Sequence, residues 1–160
     1  MSIARFARIS PQQYSRDAEA YAQRLPLEDI PLPARATTGS AGYDYVCPVE
    51  VTMAPGDSAV IPTGIRCEME PGWVLLNCPR SSLGRKHGIR LANTVGVIDG
   101  DYAYADNDGH ILVMLVNGGN HTVTLHPGER FCQGIFLPFG LAEEEHVARE
   151  RSGGFGSTGR

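Results

Sequence analysis

The sequence predicts an all-β subunit of sandwich or jelly-roll type, carrying a short N-terminal helix and a flexible C-terminal arm. Three observations carry this prediction. From Tyr43 onward, strand-length apolar runs follow one another at 43–51, 57–61, 64–70, 73–78, 89–98, 110–117, 121–125 and 130–137. Three Pro-Gly pairs, Pro55-Gly56, Pro71-Gly72 and Pro127-Gly128, punctuate those runs. Proline presets φ at the second position of a turn and glycine accepts positive φ at the third, so each pair suits a type II turn. Finally, the chain has neither an internal repeat nor a coiled-coil heptad, which leaves many short strands around one core as the expected architecture.

Ahead of the strands, residues 1–33 read as a strand, a short helix over 10–24 and a connector. Ser10 can cap the helix, Pro11 suits its first position, and Gln13 completes a Ser-x-x-Gln capping box. Pro26, Pro31 and Pro33 then enforce an extended path from Leu25 onward. Residues 34–140 form the β-rich core, and 141–160 the arm. The last ten residues hold four glycines, whose backbone is entropically expensive to order, around a single Phe155 between two arginines. Such a tail can close over a ligand.

Composition removes several function classes. The 160 residues carry a net charge of −4, with 42% hydrophobic and 20% charged side chains, so a nucleic-acid backbone is not the expected partner. No apolar run approaches the ~20 residues that cross a bilayer, and the N-terminus lacks a signal-peptide core. A cytoplasmic enzyme, not membrane-bound, is expected. Cys47, Cys67, Cys78 and Cys132 form no CxxC pair and read as reduced core thiols. The five histidines show no H-x-x-x-H spacing for zinc.

Two segments have chemistry on their face. Pro79-Arg80-Ser81-Ser82-Leu83-Gly84-Arg85-Lys86 follows a strand with an arginine, hydroxyls and further cations, as anion binding at a helix start requires; its plainer reading is a serine-capped surface turn. Asn93 to Tyr102 ends an apolar strand on Asp99-Gly100-Asp101, where a rigidly held carboxylate could activate water, or where the chain simply turns. Tyr104-Ala105-Asp106-Asn107-Asp108-Gly109 fails as an EF-hand on ligand count, and the glycines at 153–156 fail as a Walker loop for want of lysine.

Taken in order, these segments resemble the five motifs of the trimeric dUTPase family. Ala41-Gly42-Tyr43-Asp44 is similar to the first, Pro79 to Gly84 to the second, and Asn93 to Tyr102 to the third. Gly128-Glu129-Arg130-Phe131-Cys132-Gln133 is similar to the fourth, and Gly153 to Gly159 to the fifth. The resemblance implies a jelly-roll-like (β-clip) subunit, a homotrimer with active sites between subunits, dUTP as substrate and Mg²⁺ as cofactor, held by phosphates and water. It implies that Asp99 is the general base that directs water at the α-phosphorus. Tyr102 would pack on the deoxyribose, Asn93 would read the uracil edge, and Val97 and Ile98 would line that pocket. Arg80, Ser81, Ser82 and Gly84 would hold the phosphates beside Gln133 of a neighbouring subunit, with Asp44 steadying Arg80. Arg151 would meet the γ-phosphate, while Phe155 and Gly156 close over the base.

The chain departs from the family pattern in two places. Ala103 to His110 form a longer loop after Tyr102, and Glu150 stands where the fifth motif commonly has arginine, which is why Arg151 is the candidate. Two rival readings stay open. The related dCTP deaminases use a pocket glutamate where this sequence has Asp99. Alternatively, as in phage-type members, helix 10–24 and loop 103–110 would bind a regulatory protein partner.

Overall fold

The computed structural model describes residues 2–143 and residue 153. Its strands are β1 (Ala4–Arg8), β2 (Ala34–Arg35), β3 (Tyr43–Val46), β4 (Val51–Met53), β5 (Ser58–Pro62), β6 (Ile65–Met69), β7 (Trp73–Pro79), β8 (Ile89–Leu91), β9 (Gly96–Ile98), β10 (Leu112–Asn117), β11 (Val123–Leu125) and β12 (Arg130–Pro138). The helices are α1 (Pro11–Asp17) and α2 (Ser81–His87).

The largest sheet has the order β2-β3-β12-β7-β9, with the last strand at its centre. A second runs β5-β10-β8, and the pairs β1-β6 and β11-β4 complete a jelly-roll-like all-β body. Every strand pairing is antiparallel. Between the sheets lie Tyr45, Ile61, Leu75, Leu115, Leu125 and Phe131, all fully buried. Each such side chain contributes about 1.5–3 kcal/mol by leaving water. The Pro-Gly turns form as their chemistry requires, with φ of +88° at Gly56, +84° at Gly72 and +96° at Gly128. No helix among the described residues is long and apolar enough to cross a membrane.

Five local expectations need correction. The helix expected over 10–24 stops at Asp17, because the following residues are drawn into other pairings. Arg24 bridges Val49, Leu25 N–H donates to Pro48 C=O, and Glu50 N–H donates to Gln23 C=O. Its capping box is only half formed: Ser10 Oγ accepts from Gln13 N–H at 3.3 Å, but Gln13 reaches forward to Asp17. The run 43–51 breaks between β3 and β4, where Pro48 lacks an N–H to donate to a ladder. The run 89–98 splits into β8 and β9, which belong to different sheets. In the connector, Leu27–Asp29 also closes one 3-10 turn, with Leu27 and Ile30 buried.

Candidate active site

Strand β9 is an edge strand of the large sheet and, among the described residues, pairs with β7 alone, Ile98 facing Leu75 and Gly96 facing Asn77. Its side chains alternate, with Val97 58% exposed and Ile98 7% exposed. Asp99 continues the outward face of Val97 and caps a 3-10 turn at Gly100–Tyr104. It lines an open cleft of about 1020 Å³ together with Trp73, Asp101, Tyr104 and Phe139.

The turn before β9 is strained. Val95 N–H donates to Asn93 C=O at 2.7 Å, and Thr94 between them has φ of +66°. This is a γ-turn of the rarer hand, centred on a β-branched residue that avoids positive φ. Such a residue costs about 1–3 kcal/mol, and strain of this kind gathers at ligand-binding turns. Asn93 and Thr94 are both exposed.

Tyr102 closes the same segment from below, only 5% exposed. Its hydroxyl donates to His110 C=O at 2.9 Å and accepts from Asn107 Nδ2 at 2.9 Å. Both partners lie in the 103–110 loop, whose hydrogen-bonded end the sequence reading did not anticipate. The signal was present in Asp108-Gly109, a pair that favours turns with two positive φ values. Asp108 has φ of +61°, Gly109 +67°, and His110 N–H donates to Asn107 C=O at 3.1 Å. A Cβ at Gly109 would come within 2.7 Å of the Ala103 backbone, so glycine is required there.

A second cluster forms around Asp44. Arg80 Nε lies 3.1 Å from one of its carboxylate oxygens and Arg130 Nη1 3.2 Å from the other. Gln133 stands opposite Asp44 across the β3–β12 ladder and donates to Pro79 C=O at 3.3 Å. Gly42 leaves room for it, since a Cβ there would collide with Gln133 Oε1. Helix α2 begins at Ser81 with Arg80 as N-cap and no side-chain capping bond, so the serine-capped reading of this turn does not hold. Ser81, Ser82 and Gly84 are exposed. Two guanidiniums against one carboxylate leave local positive charge on a chain that is acidic overall, which suits an anionic group. Arg130 is the member that sequence reasoning missed.

The two clusters lie at opposite ends of β7. Asp99 follows Ile98, which faces Leu75 near the strand's start, whereas Arg80 follows Pro79, its last residue. Six residues at a strand's rise separate them by roughly 20 Å, further than a triphosphate reaches. Arg151, Phe155 and Gly156 lie outside the described residues.

A family model described as dUTPase matches residues 28–159. This chain belongs to the dUTPase family. The deoxyuridine 5'-triphosphate nucleotidohydrolase of Lactococcus lactis is 46% identical over 133 residues, which cover 81% of this chain and 89% of the relative. That of Aeromonas salmonicida is 43% identical over 140 residues, covering 82% and 89%. The crystal structure of a dUTPase from Streptococcus mutans superimposes with a TM-score of 0.70 at 38% identity, over 86% of this chain and 98% of that one. A Staphylococcus bacteriophage 80alpha dUTPase reaches a TM-score of 0.70 at 20% identity over the whole of both chains, and so shares the fold.

The buried cysteines of this dUTPase-family chain serve its packing. Burial pushes the thiols of Cys47, Cys67 and Cys132 up, to about 11, 12 and 12 respectively, so they stay protonated and inert. All four cysteines are free. Among the described residues, no group of three or more His, Cys, Asp or Glu could hold a metal ion.

Proposed function

We propose that this chain hydrolyses dUTP to dUMP and pyrophosphate as a dUTP diphosphatase, with water attacking the α-phosphorus. The observation that carries this reading is the placement of Asp99: an outward-facing carboxylate, fixed at the end of an edge strand beside a strained turn, in a chain of the dUTPase family. Asp99 takes a proton from the water as its oxygen bonds to the α-phosphorus. The bond to the bridging oxygen of the β-phosphate then breaks, and pyrophosphate leaves with that oxygen. Asn93 reads the uracil from the strained turn, Val97 flanks it from the exposed face of β9 while Ile98 packs behind in the core, and Tyr102 supports the deoxyribose.

The distance between Asp99 and Arg80 supports a composite site within a homotrimer. One subunit supplies the base and nucleoside-binding residues. A neighbour supplies Arg80, Ser81, Ser82, Gly84 and Gln133, with Asp44 orienting Arg80. Arg151, Phe155 and Gly156 of the arm complete the site over the γ-phosphate and the base. Mg²⁺ fits this site as an ion carried on the substrate, because the described residues form no cage for it and the ion prefers phosphate oxygens and water to such a cage. When bound, it neutralises phosphate charge.

The test is pyrophosphate release from a panel of nucleoside triphosphates with Mg²⁺, using the full chain and Asp99→Asn. The wild type should favour dUTP, and the variant should lose about 10²–10⁴-fold in turnover, the usual contribution of a general base, while still binding dUTP. No pyrophosphate from dUTP in the wild type would refute the activity, and unchanged turnover in Asp99→Asn would refute the base.

A further inference from the structure

The 103–110 loop does more than connect two strands. Tyr102 Oη, Asn107 Nδ2 and His110 C=O form a closed triangle: Tyr102 donates to His110 at 2.9 Å, Asn107 donates to Tyr102 at 2.9 Å, and Asn107 also donates to His110 at 3.1 Å. The tyrosine hydroxyl is thereby engaged both as donor and as acceptor. The carbonyl it meets belongs to a residue held from both sides. His110 Nε2 accepts from Gly64 N–H at 2.8 Å, and Nδ1 faces Asp17 Oδ2 at 2.5 Å. Because Nε2 accepts, the ring proton sits on Nδ1 and points at Asp17. Asp108 grips the other end of α1, accepting from Ser10 N–H at 2.5 Å while pairing with Arg66 at 3.0 Å.

We infer that Asn107 is a specificity-determining positioning residue, which holds the Tyr102 ring rigid so that a ribose 2′-hydroxyl is refused. The inference rests on the reading of Tyr102 as the deoxyribose support. Discrimination between sugars that differ by one hydroxyl depends on a surface that does not yield. A phenol fixed only at its Cβ can rock out of the way; one anchored at its far end to Asn107, and through His110 to α1 and the β5–β6 corner, cannot.

The experiment compares kcat/KM for dUTP and UTP in the wild type, Asn107→Ala, Tyr102→Phe, the double variant and Tyr102→Ala, with thermal unfolding of each. Asn107→Ala should lower the dUTP/UTP ratio about five- to tenfold, the scale of one hydrogen bond, with KM for dUTP rising more than kcat falls. Tyr102→Phe, which removes only the anchored oxygen and serves if Asn107→Ala fails to fold, should do the same. The double variant should lose no more than either single one, because both break one network. A lower melting temperature with an unchanged ratio in both single variants would overturn the inference, as would additive losses. If Tyr102→Ala also leaves the ratio unchanged, the sugar-support reading falls with it; if Tyr102→Ala alone collapses the ratio, only the bracing role is refuted.

Discussion

His110 is a fully buried imidazole, and its environment dictates its charge. Burial pushes its pKa below the ordinary 6.5, opposed by the hydrogen bond to Asp17 and by the nearby carboxylates of Asp17 and Asp108. The unfolded chain therefore takes up a proton that the folded chain refuses. Stability supplied by the neutral ring is complete above about pH 6.5 and declines as pH falls below it. Thermal unfolding between pH 7.5 and 5.5 should show a decline that His110→Gln flattens relative to wild type; parallel pH dependences would contradict this account. Asp44, by contrast, is legible in the sequence by its motif, yet nothing there signals that Arg130 shares its second oxygen. That pairing depends on the register of β3 against β12, which only the folded sheet defines.

At the scale of elements, α1 and the 103–110 loop clasp each other. Asp108 meets the start of the helix and His110 its last residue, so the two features that had suggested a partner-binding surface brace one another first. Asp108→Ala removes an acceptor from Ser10 N–H and the partner of Arg66, and leaves alanine at φ of +61°. It should cost roughly 2–4 kcal/mol from the lost contacts and the strain, and hydrogen exchange should quicken in residues 11–17. Unaltered protection of those amides would show that the clasp is not what orders α1. The strands, turns and helix start of this region were legible from alternation, Pro-Gly pairs and Ser10-Pro11. The helix end was not, because residues 23–25 take tertiary partners at 48–50, and local propensity carries no record of them.

On the scale of the whole molecule, the motif residues divide between the two ends of β7. Their order along the chain resembles the family's motif order, but does not say which subunit supplies each motif to a site. A triphosphate cannot bridge roughly 20 Å, so in the proposed homotrimer Asp99 of one subunit works with Arg80 of another. A closed ring of three head-to-tail contacts would supply that pairing three times over.

The most direct measurement of this claim mixes two inactive variants, Asp99→Asn and Arg80→Ala, after confirming a trimeric mass for each by light scattering. Each variant keeps the half-site the other lacks. Random reassembly after co-expression should restore about a quarter of wild-type pyrophosphate release, since in a cyclic trimer one site in four would combine two intact halves. Activity no greater than that of the two parents, in trimers shown by mass to be mixed, would place both halves in a single subunit and contradict the account.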